Sequence, residues 1–284
     1  MKKLTALLLG TAMVLSLAAC GGSASSAASS EAASSEAASS EETSEAASEK
    51  TTDEAAGEVT TVNAGKLTMS TNAAFPPYEM TTDSGDLEGI DIEVAGAIAE
   101  KLGLELQVDD MDFDAALLAT QSGKSDMVMA GVTVTDERQK VMDFSDTYAE
   151  GIQSIIVPED SDIASADDLA GKIIGTQRGT TGYIYCTDDY GEDSVVPFDD
   201  GATAVQNLLA GKVDCVVIDS APAQEYVKAN AGLTILDTEY ANEDYAIGLA
   251  KDNTALQEAL NKALAELKAD GTIQSIIDKY IPSK

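Results

Sequence analysis

The sequence contains no histidine. That absence excludes Ser-His-Asp and Cys-His catalytic groupings and every His-ligated metal, which removes a large share of hydrolase chemistry. Cysteine is almost as scarce, and three residues are too few for a disulfide framework. Cys186 falls in an expected helix and Cys215 in the apolar run VDCVVI, so both read as buried free thiols. A bridge between them would need Cα atoms within about 7 Å. Positive charge is rare as well: 17 Lys plus Arg stand against 50 Asp plus Glu, for a net charge of −33. Such a surface repels nucleic acid and suits solubility in an extracellular phase, with attraction of cationic ligands as the alternative.

No apolar run of membrane-spanning length is present either. Residues 4–17 are apolar and follow Met1-Lys2-Lys3, which is the pattern of a signal peptide over 1–19 and too short for an anchor. LAAC at 17–20, followed by Gly21-Gly22, resembles the lipobox of bacterial lipoproteins. The resemblance implies cleavage before Cys20 and lipid attachment there, where several acyl chains would hold the protein on the membrane. The alternative is an ordinary secretory signal cut after Ala18 or Ala19. Residues 20–58 are nearly all Ser, Ala, Glu, Thr and Gly, without aromatics, so they are expected to form a disordered tether. As a coil it would span roughly 35 Å.

From about residue 59 the pattern changes. Short apolar strands alternate with helical periodicities: KLTMST (66–71) as strand, GIDIEVAGAIAEKLG (89–103) as helix, LELQV as strand, FDAALLATQSG as helix, and SDMVMAGVTV as buried strand. KIIGTQ, TTGYIYC, SVVPF, GATAVQNLLAG, KVDCVVI and APAQEYVKA continue the rhythm, and two helical segments, 253–270 and 272–280, close it. The alternation predicts an α/β fold with mostly parallel sheets flanked by helices. LATQSGKSDMVMAG (118–131) and NLLAGKVDCVVIDS (207–220) echo one another. The echo sets Gly131 and Asp219 at the carboxyl ends of apolar strands, where open α/β sheets bind ligands.

Several residues at such ends would suit a free α-amino acid. A carboxylate calls for a guanidinium, hydroxyls and helix amino termini; an ammonium calls for a carboxylate. Thr135 is placed to cap a helix whose first turn carries Arg138, beside Thr133 and the Gly131 carbonyl. GTTG (179–182) follows a strand and offers the Thr180 and Thr181 hydroxyls. Asp219 ends its strand, and FPPY (75–78) supplies Phe75 and Tyr78 on a proline-stiffened loop. Each also has a plainer reading. Arg138 fits a surface arginine paired with Asp136 or Glu137, Asp219 fits a helix cap, GTTG fits a tight turn, and Phe75 fits the core. Their joint placement favours a site.

FPPYEM, GIDIEVAGAIAEKLG and FDAALLATQSGKSDMVMAGVTVTDERQKVMDFSDTY, followed by KIIGTQRGTTG, GKVDCVVIDSAPA and ALAELKADGTIQSIIDKYI, resemble the extracellular solute-binding proteins of polar amino-acid ABC transporters. The match runs in order from about 66 to 281. It implies a two-lobed periplasmic-binding-protein-like fold, with residues 66–148 plus 248–284 as one lobe, 154–242 as the other, and two crossover strands as the hinge. It further implies a lipid-anchored monomer on the extracellular face that closes on a polar amino acid and delivers it to a permease, with no enzyme activity, cofactor or metal. By the same resemblance Arg138 clamps the ligand carboxylate, with hydroxyls from Thr133 and Thr181, while the Gly131 carbonyl and Asp219 hold the ammonium. Phe75 and Phe113 form aromatic walls, and Asn72 and Gln177 tune side-chain choice. Asn72 stands where some relatives carry aspartate, which argues against a cationic ligand. The same fold also carries dehydratases and peptidoglycan-cleaving enzymes, which would need an acid or base beyond Asp219. A sensor ectodomain, the remaining alternative, would need a membrane or kinase segment after the body.

Overall fold

A computed structural model of the protein describes residues 59–282. The expected signal peptide, Cys20 and the tether up to residue 58 lie outside the described residues.

The chain begins with β1 (Lys66–Thr71) and a small three-stranded sheet of β2 (Ala74–Phe75), β3 (Glu79–Thr81) and β4 (Leu87–Glu88). α1 (Ile90–Leu102) follows, burying Ile90, Val94, Ala95, Ile98 and Ala99 along one face. Gly103, left-handed at φ 68°, ends it. Its amino terminus has no side-chain cap; instead the FPPY loop supplies the acceptors, through the Pro77 carbonyl to Ile90 N and the Tyr78 carbonyl to Asp91 N. That approach demands glycine at 89, where φ is 134° and a Cβ would sit 2.2 Å from the Tyr78 oxygen.

β5 (Glu105–Asp110), α2 (Phe113–Gln121), β6 (Met127–Val128) and the four-residue α3 (Asp136–Gln139) lead into β7 (Met142–Pro158), a strand of 17 residues. β8 (Ile174–Gln177), α4 (Thr181–Tyr190), β9 (Val195–Phe198), α5 (Gly201–Leu209), β10 (Cys215–Asp219) and α6 (Ser220–Ala229) form a second α/β stretch. The chain returns through β11 (Leu233–Ile235) and β12 (Ala241–Ala250) to α7 (Thr254–Ala269) and α8 (Thr272–Tyr280).

The strand order is β5-β1-β6-β12-β7-β10-β8-β9, with β11 also paired to β7. β5, β1 and β6 are parallel, as are β10, β8 and β9. The antiparallel pair β7 and β12 joins the two lobes, so their sheets run into one another. The pairing of β7 with β12 is irregular on both sides of Ala246, next to Tyr245. Such a bulge re-aims the side chains beside it.

SDMVMAGVTV departs from the expected single strand: only Met127–Val128 pairs in the sheet, though residues 127–130 are all buried. The Asp126 carboxylate accepts the Thr68 N–H at 2.7 Å and fastens the start of β6 to β1. Gly131, at φ 55°, then turns the chain away, so that Thr133 meets Tyr245 in an isolated bridge. Cys186 and Cys215 are free and buried, and burial pushes both thiols up to about 12.

Candidate functional site

Asn72, Phe75, Phe113, Gly131, Thr133, Arg138, Gln177, Thr180, Thr181 and Asp219 line one cavity, together with Ala130 and Glu79. Of the residues expected from sequence, Tyr78 stands back from the lining. Its ring stacks on Phe75 at 5.9 Å and meets Tyr245 edge-on at 5.2 Å, bracing the aromatic wall.

Arg138 reaches the cavity because Thr135 starts a helix there. The Thr135 hydroxyl accepts the Arg138 N–H at 3.2 Å, and the arginine leaves within that first turn. Its side chain is buried, 8% exposed, so the surface reading fails; Glu137 pairs with Lys140 instead. Nη1 donates to the Thr133 carbonyl at 2.8 Å and Nη2 to the Gly179 carbonyl at 3.2 Å. The guanidinium carbon lies 5.4 Å from the centre of the Phe113 ring. The cation is thereby fixed in orientation, with about three of its five N–H groups left for another acceptor.

GTTG does serve as a helix start. Gly179 adopts φ 74°, and the Thr180 hydroxyl donates to the Gln177 carbonyl at 2.8 Å while accepting the Tyr183 N–H at 3.3 Å. Thr180 therefore lines the cavity with its hydroxyl already engaged. The Thr181 hydroxyl lies 3.5 Å from that of Thr133 and is the freer of the two.

Asp219 closes β10 but does not cap α6, because its carboxylate makes no capping hydrogen bond. Tyr245 donates to one of its oxygens and Gln153 Nε2 to the other at 2.8 Å. Burial, reinforced by the nearby Glu243 carboxylate, pushes Asp219 up to about 7. Gly131 directs its N–H to Asp91 at 3.0 Å, and an added Cβ there would stand 2.8 Å from the Phe75 ring. Asp91, also held by the Tyr148 hydroxyl at 2.7 Å, is raised to about 6 by burial. Gln177 Nε2 donates to Asn72 Oδ1 at 2.9 Å, and Asn72 Nδ2 to the Met111 carbonyl at 3.0 Å, so these two residues tie the lobes together across the cavity.

Sequence reasoning missed Glu79. It directly follows FPPY and is fully buried; no N–H or hydroxyl among the described residues donates to its carboxyl oxygens, which meet the Asp91 carboxylate instead. Burial, then the nearby Asp91, holds it well above the ordinary carboxylate range. The cavity thus has a buried carboxyl group seven residues beyond Asn72. Its position in FPPYEM was the available signal. Gln153, Glu243 and Tyr245 were missed because they lie on β7 and β12 without a motif. Among the described residues no cluster of three or more Asp, Glu or Cys is placed to hold a metal ion. No helix among them is long and apolar enough to cross a membrane.

Several known proteins are similar to this chain over most of its length. The chain is 34% identical over 224 residues to the ABC transporter arginine-binding protein 1 of Escherichia coli strain K12, covering 77% of this chain and 92% of that one. It is 32% identical over 219 residues to the L-cystine-binding protein TcyJ of the same strain, covering 76% and 82%. Among solved structures, an ancestral arginine-binding protein bound to arginine matches with a TM-score of 0.72 and 44% identity, covering 76% of this chain and 98% of that one. These relatives are binding proteins rather than enzymes. The profile of the bacterial extracellular solute-binding proteins, family 3, matches residues 67–283, and the chain belongs to that family.

Proposed function

We propose that this protein is the amino-acid-binding subunit of an ABC importer, and that its ligand is an α-amino acid with a cationic, donor-rich side chain. The carrying observation is the buried pair of opposite charges, Arg138 and Asp219, lining one cavity. A zwitterion satisfies both: its carboxylate meets the free N–H groups of Arg138 and the Thr133 and Thr181 hydroxyls, and its ammonium meets Asp219 and the Gly131 carbonyl. Phe75 and Phe113 flank the aliphatic part.

Glu79 carries the choice of side chain. Both of its oxygens, and Oε1 of Gln177, are buried acceptors without a donor. Such groups are costly to leave unpaired. A guanidinium brings five N–H donors and a positive charge, which fits three acceptor oxygens better than an apolar or acidic side chain does. Arginine-binding relatives support the same choice.

The mechanism is closure without covalent chemistry. The lobe of 66–148 plus 248–284 and the lobe of 154–242 swing about β7 and β12, and the closed form is the one the permease reads. Cys20 would anchor the protein by lipid on the extracellular face, as a monomer. A thermal-shift screen of the purified body against the twenty amino acids, ornithine and cystine tests the reading. Arginine should raise the melting temperature most, by mass action on the folded state. A shift with glutamate but not arginine would overturn the side-chain assignment, and no shift with any compound would overturn the receptor reading.

A further inference from the structure

The zwitterion leaves one buried carboxylate without a use. Glu243, on β12, is 7% exposed, and its Oε1 has no hydrogen-bond partner. Its Oε2 accepts from Gln153 Nε2 at 2.9 Å, and the same nitrogen donates at 2.8 Å to Asp219. One amide nitrogen thus bridges two carboxylates. Gln153 is itself buried and confined, since its carbonyl oxygen lies against Gly182, where a Cβ would stand 2.8 Å away. Both amide hydrogens are engaged, and the two acids are held as neighbours.

The surroundings set their charge. Arg138 from α3 and Tyr185 from α4 face Glu243, with Asp244 beside it on β12 and Glu150 on β7. Tyr245, Tyr78 and Glu79 face Asp219. Of these groups only Arg138 is cationic, so it offsets one negative charge and not two. Two ionised carboxylates this close, away from water, repel strongly, and such pairs retain a proton. Glu243 also borders a solvent-facing groove lined by Glu150, Asn242 and Asp244, which gives that proton an exit.

We infer that Asp219 keeps a proton beside Glu243, with which it shares the Gln153 amide, that the arriving α-ammonium displaces that proton to solvent, and that Glu243 thereby makes amino-acid binding proton-linked. The step is a simple dissociation: a carboxyl O–H breaks, its proton leaves to water, and the ammonium keeps its own protons beside the new carboxylate. Glu243 acts through Asp219 as a positioning residue. The inference rests on Asp219 as the ammonium partner.

Calorimetric titration with L-arginine, near neutral pH and in buffers of different ionisation enthalpy, counts the protons exchanged. Wild type should release close to one proton more than Glu243→Gln, because a neutral neighbour leaves Asp219 ionised beforehand. The acid limb of the affinity profile should move down by roughly one pH unit in that variant, the usual scale of a like-charge effect. Glu243→Asp, which keeps the charge, should restore the release. Carbon NMR of the wild-type carboxyl groups provides a reading that depends on no variant: Asp219 should take up a proton near neutral pH in the free protein, and arginine should keep it ionised there. Equal proton release in wild type and Glu243→Gln, or an Asp219 signal indifferent to arginine, overturns the inference while leaving the receptor reading standing. Failure of wild type to bind any amino acid would sink both.

Discussion

The Tyr226 hydroxyl donates to the Ala74 carbonyl at 2.9 Å, tying α6 to the strand that carries Phe75. The two residues are 152 apart in sequence and belong to different lobes. The bond lies outside the cavity lining, so it joins the lobes without touching a ligand. Its partner oxygen is a backbone atom, which any substitution at 74 would leave in place.

Tyr226→Phe should therefore loosen closure rather than binding chemistry. One neutral hydrogen bond contributes about 0.5–1.5 kcal/mol, so arginine should dissociate about two- to tenfold faster. Association should change little, as most affinity changes appear in the off-rate. Stopped-flow kinetics would decide, and an unchanged off-rate would remove the tie from the closing mechanism.

Arg138→Ala should abolish arginine binding. Losing one partner of a buried charge pair costs about 2–5 kcal/mol, or roughly 30- to several-thousand-fold in affinity. Arg138→Lys should recover little of it, because an ammonium cannot reach the Thr133 and Gly179 carbonyls and a ligand carboxylate together. Calorimetry measures both variants, and near-wild-type affinity in either would exclude the clamp.

Glu79→Gln separates side-chain recognition from recognition of the α-amino acid. The amide keeps the shape but loses the charge that answers a guanidinium. Arginine affinity should fall by about 10- to 100-fold, the scale of about 1.5–3 kcal/mol for hydrogen bonds to charged groups. Glutamine, whose side chain carries no charge, should lose far less. Competition titrations with both amino acids provide the measurement, and equal losses would place Glu79 outside side-chain selection.

These expectations differ in how far the sequence foretold them. Arg138, Thr181 and Asp219 were legible because each sits at a strand end or in the first turn of a helix, where spacing and composition mark the position. α1, α2, α7 and α8 were legible from apolar periodicity, α1 and α2 also from Gly103 and Gly123 after them. Glu243, Gln153 and Tyr245 were not, since β7 and β12 meet through pairing between residues about 90 apart, which local pattern does not encode. The break in SDMVMAGVTV was hidden for a related reason: its apolar character is genuine, but Gly131 turns the backbone away from the sheet. Glu79 lay within a recognised motif, but only burial distinguishes it from an ordinary loop glutamate.

The buried acids also predict how the unliganded protein responds to pH. Asp91 is raised to about 6 and Asp219 to about 7, both by burial first, and Glu79 is raised as well. An unfolded chain sheds these protons near pH 4, so between there and neutrality the folded form holds more protons than the unfolded one. Stability must then fall as pH rises through about 4 to 7, with Asp91 contributing on the order of 3 kcal/mol and Asp219 on the order of 4 kcal/mol. The ion pairs Glu93–Lys279 and Asp143–Lys251 act in the opposite direction, but they are largely exposed and screened. Saturating arginine should flatten the decline, because its ammonium and guanidinium favour the ionised forms of Asp219 and Glu79. Melting temperatures measured across that range, with and without arginine, provide the check. A melting temperature that rises from pH 4 to 7 in the absence of ligand would contradict the assignment of these carboxyls as buried acids held in their protonated form.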